Sequence, residues 1–242
     1  MVSLEGLTVV VALCSVLSVL SYRLGLLTGS GAAASFIMGM VIGGLGDIGW
    51  LLTLIAFTLL GFAVTRFRFH IKESRGLQEG VRGERTYRNV LANGLVPALV
   101  AIVAFAAGAQ GSTLAAIAYI SSVAVAAADT TASELGVLSE RTYMITTWER
   151  VPPGTNGGVS LNGTLWCILA SAVASYVGWL VIMNRPFDLL VLIPAAMGVV
   201  GCMVDSVIGA TLENRGLVGK LQVNFIAMAS GSLAAAAAYL LL

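Results

Sequence analysis

The chain has 242 residues, of which 58% are hydrophobic and 10% charged, with a formal net charge of +1 and a mean hydropathy of +0.94. A soluble globular domain carries about 25% charged residues, so this composition excludes one, and a balance near neutrality gives no reason to expect a nucleic-acid partner. Cys14, Cys167 and Cys202 lie far apart inside apolar stretches without any CxxC or Cys/His cluster, which excludes a zinc motif and a disulfide framework and leaves small core residues.

Apolar stretches approaching or exceeding the roughly 20 residues that cross a bilayer recur along the chain. Eight candidate spans fall at about 4–22, 31–46, 48–66, 90–109, 112–128, 161–183, 187–209 and 222–242. The expected fold is an all-α polytopic transmembrane bundle of about eight helices. The first span has no basic residue before it and no small-residue cleavage site, so it is expected to be retained. The second is short and glycine-rich, which keeps a seven-span bundle open. Its Gly39 and Gly43, four apart, suit close helix packing. The connections are too short to hold a further domain, so residues 1–242 are expected to form a single integral-membrane domain.

Basic residues set the orientation. With the amino terminus outside, every Lys and Arg of the chain except Arg185 falls on the cytoplasmic side, either in a connection or at the end of a span. Positive residues favour that side, and all the long polar segments then share it. Residues 67–89 are the most basic, and they attract anionic membrane lipids. If the fourth helix begins at their end, Arg85, Asn89 and Asn93 share one face at four-residue spacing, beside Arg88. Such a face can hold phosphate oxygens.

The longest polar run between apolar segments is DTTASELGVLSERTYMITTWERVPPGTNGGVSLN, residues 129–162. It opens on Asp129 at the end of the fifth span, with the small Thr130 and Ser133 beside it. Glu134, five residues on, lies about 140° around a straight helix from Asp129. The two carboxylates can share an ion only if the segment bends at residues 130–133. Pro152 and Pro153 stop a helix, while Gly154, Gly157 and Gly158 permit positive φ. Thr155, Asn156 and Ser160 complete a polar turn leading into the amino terminus of the sixth span, a site suited to anions. Arg150 stands just before it.

A second acid-bearing segment, GCMVDSVIGATLENRG, spaces Gly201, Asp205, Gly209 and Glu213 four apart on a slanted helical stripe. An ionisable residue such as Asp205 at the end of a span is a functional-site hypothesis by default. The four acids Asp129, Glu134, Asp205 and Glu213 therefore converge by topology on one face. They are the expected ligands of Mg²⁺ bridging phosphate oxygens, with Asp129, Glu134 and Asp205 as the catalytic set. The expected phosphate-binding residues are Arg85, Arg88, Asn93, Thr130, Ser133, Arg150, the 153–158 turn with Ser160, and Gly209. No P-loop, Rossmann glycine pattern or HExxH is present, and the sole histidine, His70, reads as a surface residue.

Four blocks, RNVLANG (88–94), ADTTASELGVLS (128–139), ITTWERVPPGTNGGVSLNGT (145–164) and DSVIGATLE (205–213), together resemble the integral-membrane family of eukaryotic transmembrane protein 19 and plant phytyl-phosphate kinase. A weaker likeness extends to CTP-using dolichol kinases and to cytidylyltransferases of phospholipid synthesis. The resemblance implies a Mg²⁺-dependent lipid kinase that converts an isoprenyl monophosphate to its diphosphate with a nucleoside triphosphate, CTP being favoured. Glu213 departs from the family pattern, in which Gln is common at that place. The alternatives from the same residues are a transporter or flippase of a phosphorylated lipid and an enzyme forming a CDP-lipid. A second copy of the chain is a candidate partner.

Overall fold

The computed structural model describes residues 4–242. Among them eight helices are long and apolar enough to cross a membrane. In order these are α1 (Leu4–Arg23), α2 (Gly29–Val41, extended to Gly46 by a wider π turn), α3 (Ile48–Arg66), α5 (Tyr87–Ala106), α6 (Thr113–Gly136), α7 (Leu161–Met183), α8 (Leu192–Ile208, extended by a π turn through Glu213) and α9 (Lys220–Leu240). A short helix, α4 (Phe69–Ser74), follows α3 outside the bundle. The expected polytopic all-α bundle is present, with its second span intact.

The helix starts follow from polar residues placed before apolar runs. Thr28, Asp47, Ser112 and Ser160 each accept a hydrogen bond from the backbone N–H two or three residues on, which satisfies a first-turn donor. At α5, Thr86 N–H donates to Asn89 Oδ1 over 2.9 Å, completing a capping box.

α6 is the column of the bundle. Its residues from Ala115 to Ala128 are nearly all buried, and α3, α5, α7, α8 and α9 all pack on it. Small residues permit the approach. Val125 fills a notch made by Gly201 of α8 and Gly231 of α9, where a Cβ on Gly231 would lie 2.6 Å from Val125 Cγ2. Tyr119 stacks on Trp50 with centroids 4.3 Å apart and donates to the Trp50 carbonyl over 2.7 Å. Gly39 and Gly43 serve packing as expected: added Cβ atoms would meet Cys14 Sγ at 2.7 Å and Val10 Cγ1 at 2.9 Å. The three cysteines are free and buried.

Two departures from the sequence reading matter for the site. First, α6 runs straight through Asp129 and on to Gly136. The small hydroxyl residues 130–133 and Glu134 stay helical because the helix is still inside the protein there, with Glu134 neutralised by a basic partner. Second, residues 142–159 contain three short strands: β1 (Thr142–Met144), β2 (Arg150–Val151) and β3 (Gly158–Val159). They form an antiparallel sheet in the order β2-β1-β3, with Tyr143 opposite both Arg150 and Val159. This small sheet carries the glycine turn back over the helix ends.

The connections after α1, α3, α6 and α8 touch one another. Arg66 donates to the Gly25 carbonyl over 3.1 Å, Thr28 N–H to the Arg85 carbonyl over 3.1 Å, and Asn214 Nδ2 to the Asn156 carbonyl over 3.0 Å. All the long polar segments therefore gather at one end of the bundle.

Candidate functional site

At that end lies a pocket of about 360 Å³. The last turns of α6 and α8 supply its floor, the first turns of α7 and α9 one wall, residues 76–79 another, and residues 154–158 its lid. Asp129 and Asp205 face each other there, close enough for their carboxyl groups to interact directly. Asp205 Oδ2 is buried and has no hydrogen-bond partner. Buried polar atoms are nearly always satisfied, so this oxygen is a free acceptor in the pocket.

Glu213 and Lys220 border the same pocket. The Lys220 ammonium lies 3.5 Å from Glu79 Oε2, while Glu79 Oε1 accepts from Asn89 Nδ2 over 2.8 Å. Burial pushes Glu79 up, but Lys220, the Asn89 amide and Arg85 together hold it below the ordinary glutamate value. Glu79 thereby ties the starts of α5 and α9 together beside the two aspartates. The amino terminus of α7, capped by Ser160 through Gly163 N–H at 3.1 Å, opens on the same space. Its positive dipole end favours an anion.

The remaining predicted residues divide. Ser133, Thr155, Asn156, Gly158 and Ser160 line the pocket with Gly154. Gly157 and Gly209 also border it, but their main work is contact: a Cβ on Gly157 would lie 2.5 Å from both Ala210 Cβ and Ala210 N, and φ at Gly157 is +76°. The glycines thus press the lid onto the end of α8. Pro153 and Thr130 stand outside the pocket lining, Thr130 buried in α6. Arg88 is exposed beside the Tyr87 ring, and Arg150 is exposed with its guanidinium on the Glu140 carbonyl at 3.1 Å. Neither arginine reaches the pocket.

Glu134 borders the same pocket as Asp129, but its carboxylate is held by partners outside it. Because α6 does not bend, the two carboxylates keep their angular separation. Glu134 Oε2 accepts from Lys72 at 2.5 Å and Oε1 from the Thr65 hydroxyl at 2.9 Å. Lys72 is fully buried and also caps the end of α3 through the Val64 and Thr65 carbonyls, at 2.9 and 2.8 Å. Among the described residues no three acids, cysteines or histidines gather as a metal cluster; all four expected acids border the pocket, with Asp129 and Asp205 facing each other, Glu213 at the margin and Glu134 paired with Lys72. Arg85 and Asn93 lie to one side, in a separate small crevice. Burial pulls the Arg85 guanidinium below its usual value, against the opposing pull of Glu134, Glu79 and Asp129.

Sequence reasoning missed Lys72, Glu79 and Lys220. Lys220 carried a signal: it is the cation just before the last apolar run. Lys72 and Glu79 carried none, since in a basic loop nothing distinguishes a side chain that folds back into the bundle. Cys167 and Cys202 were expected only in the core, yet both also border the pocket.

The family model described as Integral membrane protein DUF92 matches residues 12–233. The chain belongs to this family. Among DUF92-like relatives, an uncharacterized membrane protein of Methanocaldococcus jannaschii, MJ0933, is 35% identical over 234 residues, covering 96% of this chain and 94% of its own. An uncharacterized membrane protein of Synechocystis, sll0875, is 36% identical over 194 residues, 78% of this chain and 73% of its own. The chloroplastic protein VTE6 of Arabidopsis thaliana is 32% identical over 193 residues, 78% of this chain and 57% of its own. No solved structure matches the chain. DUF92 membership accounts for the multi-pass architecture, and the chemistry has to be argued from the pocket.

Proposed function

We propose that this protein is a membrane-embedded kinase that transfers a phosphoryl group from a nucleoside triphosphate, CTP being favoured, to an isoprenyl monophosphate of the phytyl, geranylgeranyl or polyprenyl type. The observation that carries the reading is the facing pair Asp129 and Asp205, one oxygen of which is buried and unpartnered, beneath a glycine-rich lid and beside Lys220. Three of the four sequence blocks that resemble phytyl-phosphate kinase, 128–139, 145–164 and 205–213, line this pocket, and the fourth, 88–94, borders the crevice beside it.

The donor set fits Mg²⁺. That ion takes one or two carboxylates from a protein and completes its octahedron with water and substrate phosphate. Asp129 and Asp205 would hold it, and when bound it neutralises the polyphosphate and the charge that develops on transfer. The protein's own groups do the rest. The first turn of α7 and the Lys220 ammonium receive the donor phosphates, and the lid excludes water that would otherwise intercept the phosphoryl group. An oxygen of the lipid phosphate attacks the terminal phosphorus of the nucleotide. The bond from that phosphorus to the bridging oxygen breaks, the nucleoside diphosphate leaves, and the lipid diphosphate remains. Phosphoryl transfer demands mainly positioning and charge neutralisation, which these residues offer. The tendency of basic connections to stay inside supports a cytoplasmic position for this face, with the amino terminus outside.

The test is purified protein in lipid nanodiscs with Mg²⁺, terminally labelled CTP or ATP, and phytyl or geranylgeranyl phosphate. Labelled lipid diphosphate is the expected product. Pyrophosphate release would instead make the pocket a cytidylyltransferase, and vectorial lipid movement without nucleotide consumption would make the protein a flippase. Failure to form diphosphate with every nucleotide and chain length overturns the kinase reading.

A further inference from the structure

Beside the nucleotide pocket, α2, α3 and α5 enclose a crevice of about 50 Å³. Met38, Leu54, Phe57 and Phe62 make its walls apolar, and Arg85 stands at one edge with Asn89 and Asn93. Arg85 is held in place by its neighbours: its Nη2 donates to the Thr65 hydroxyl at 3.0 Å, and Gly61 leaves room for the guanidinium, since a Cβ there would lie 3.2 Å from Nη1. Its Nε is buried and has no partner. A buried cationic donor with an empty hydrogen bond, at the rim of an apolar slot, describes the junction between an anionic head and a hydrocarbon tail.

The crevice and the pocket are separated by side chains that meet in pairs. Glu79 and Asn224 border the pocket, whereas Asn89 and Asn93 border the crevice. They meet as two pairs, Asn89 Nδ2 to Glu79 Oε1 at 2.8 Å and Asn224 Nδ2 to Asn93 Oδ1 at 3.5 Å. The second contact is long and weak. Pro97, inside α5, has no N–H to give the Asn93 carbonyl, so the helix is loosened at the turn that carries Asn93.

We propose that this crevice receives the first carbons of the acceptor lipid next to its phosphate, with the lipid phosphate on Arg85 and the Asn93–Asn224 contact as the point where that phosphate meets the donor. The ligand identity rests on the kinase reading; the location does not. A slot of this size takes only the head of the chain, so the rest continues between the helices into the bilayer. The arrangement also separates two demands, since the nucleotide pocket stays polar while the lipid is gripped in a dry place next door.

The experiment uses the full chain in nanodiscs and a geranylgeranyl phosphate bearing a diazirine on its first isoprene unit, with labelled residues mapped by mass spectrometry. Label is expected on Met38, Phe57 or Phe62, competed by unlabelled geranylgeranyl phosphate and far less by geranylgeraniol. Arg85→Gln is expected to raise the competing phosphate concentration by about tenfold, the loss of a charge-assisted hydrogen bond. Label on α7, α8 or α9, label spread over the outer helix faces, no label, or equal competition by the alcohol each overturns the crevice assignment. Photolabelling needs no turnover, so the two readings fail separately. Label in the crevice without diphosphate formation strikes the kinase reading and leaves the lipid site, while turnover with label elsewhere does the reverse.

Discussion

Replacing Lys72 separates a structural acid from a catalytic one. Lys72→Met removes the 2.5 Å contact to Glu134 and two bonds to the α3 carbonyls, leaving a carboxylate that is only 8% exposed with the Thr65 hydroxyl alone. Removing one partner of a buried pair costs about 3–5 kcal/mol, and Glu134→Leu should cost a similar amount by stranding Lys72. The double substitution leaves no unpaired charge. It still forfeits the two carbonyl bonds, for a net loss of about 2 kcal/mol. The summed single losses should therefore exceed the double loss by about 4 kcal/mol or more. Unfolding of the purified protein in mixed detergent and SDS micelles, followed by circular dichroism, measures all three. The double variant is also expected to keep Mg²⁺-dependent turnover at the wild-type order. Additive losses would refute the pairing argument. A stable double variant without turnover would return Glu134 to the metal site.

Other outcomes follow from the same geometry. Asp129→Asn and Asp205→Asn should each lower turnover by about 10³-fold or more with little change in the unfolding midpoint; normal turnover in either removes that residue from the site. Gly157→Ala should destabilise the lid by about 1–3 kcal/mol, because φ is +76° and the new Cβ meets Ala210, and adding Ala210→Gly should recover little of it, since the backbone N and Cα at 210 stay 2.5 and 2.6 Å from that Cβ, as read by protease nicking of residues 145–158. Glu79 sits below its ordinary value of 4.5, so its stabilisation is complete above pH 4.5 and is lost as pH falls through the lower folded value. The acid limb of a stability profile should flatten in Glu79→Gln, and an unchanged limb would show that Glu79 does not link α5 to α9.

The spans were legible in the sequence because each is an unbroken apolar run, and such runs announce themselves one residue at a time. The meeting of Asp129, Asp205 and the glycine turn was legible for a different reason: alternation of spans forces every second connection to one end. What escaped was pairing between distant segments. Nothing local distinguishes Lys72, which turns back to α3 and α6, from the exposed Arg75 beside it. Local pattern also misjudged α6, since hydropathy falls at Asp129 while the helix continues, its polar side chains being met by protein rather than lipid. The strands of residues 142–159 are two or three residues long, too short to show any period. On the α8 stripe Gly209 borders the pocket and also receives the lid, while Gly201 receives Val125; spacing alone cannot tell a surface that admits a ligand from one that admits a neighbouring backbone.

The enclosure of α6 sets what the surrounding bilayer can do to this protein. α1 turns most of its length outward and α6 almost none, so a thicker or thinner membrane tilts the outermost helices first. Asp129 is shielded from that adjustment by a full ring of neighbours, and α8, which carries Asp205, is packed directly on the same column. Chemistry fixed to such an inner post can operate unchanged in membranes of differing thickness.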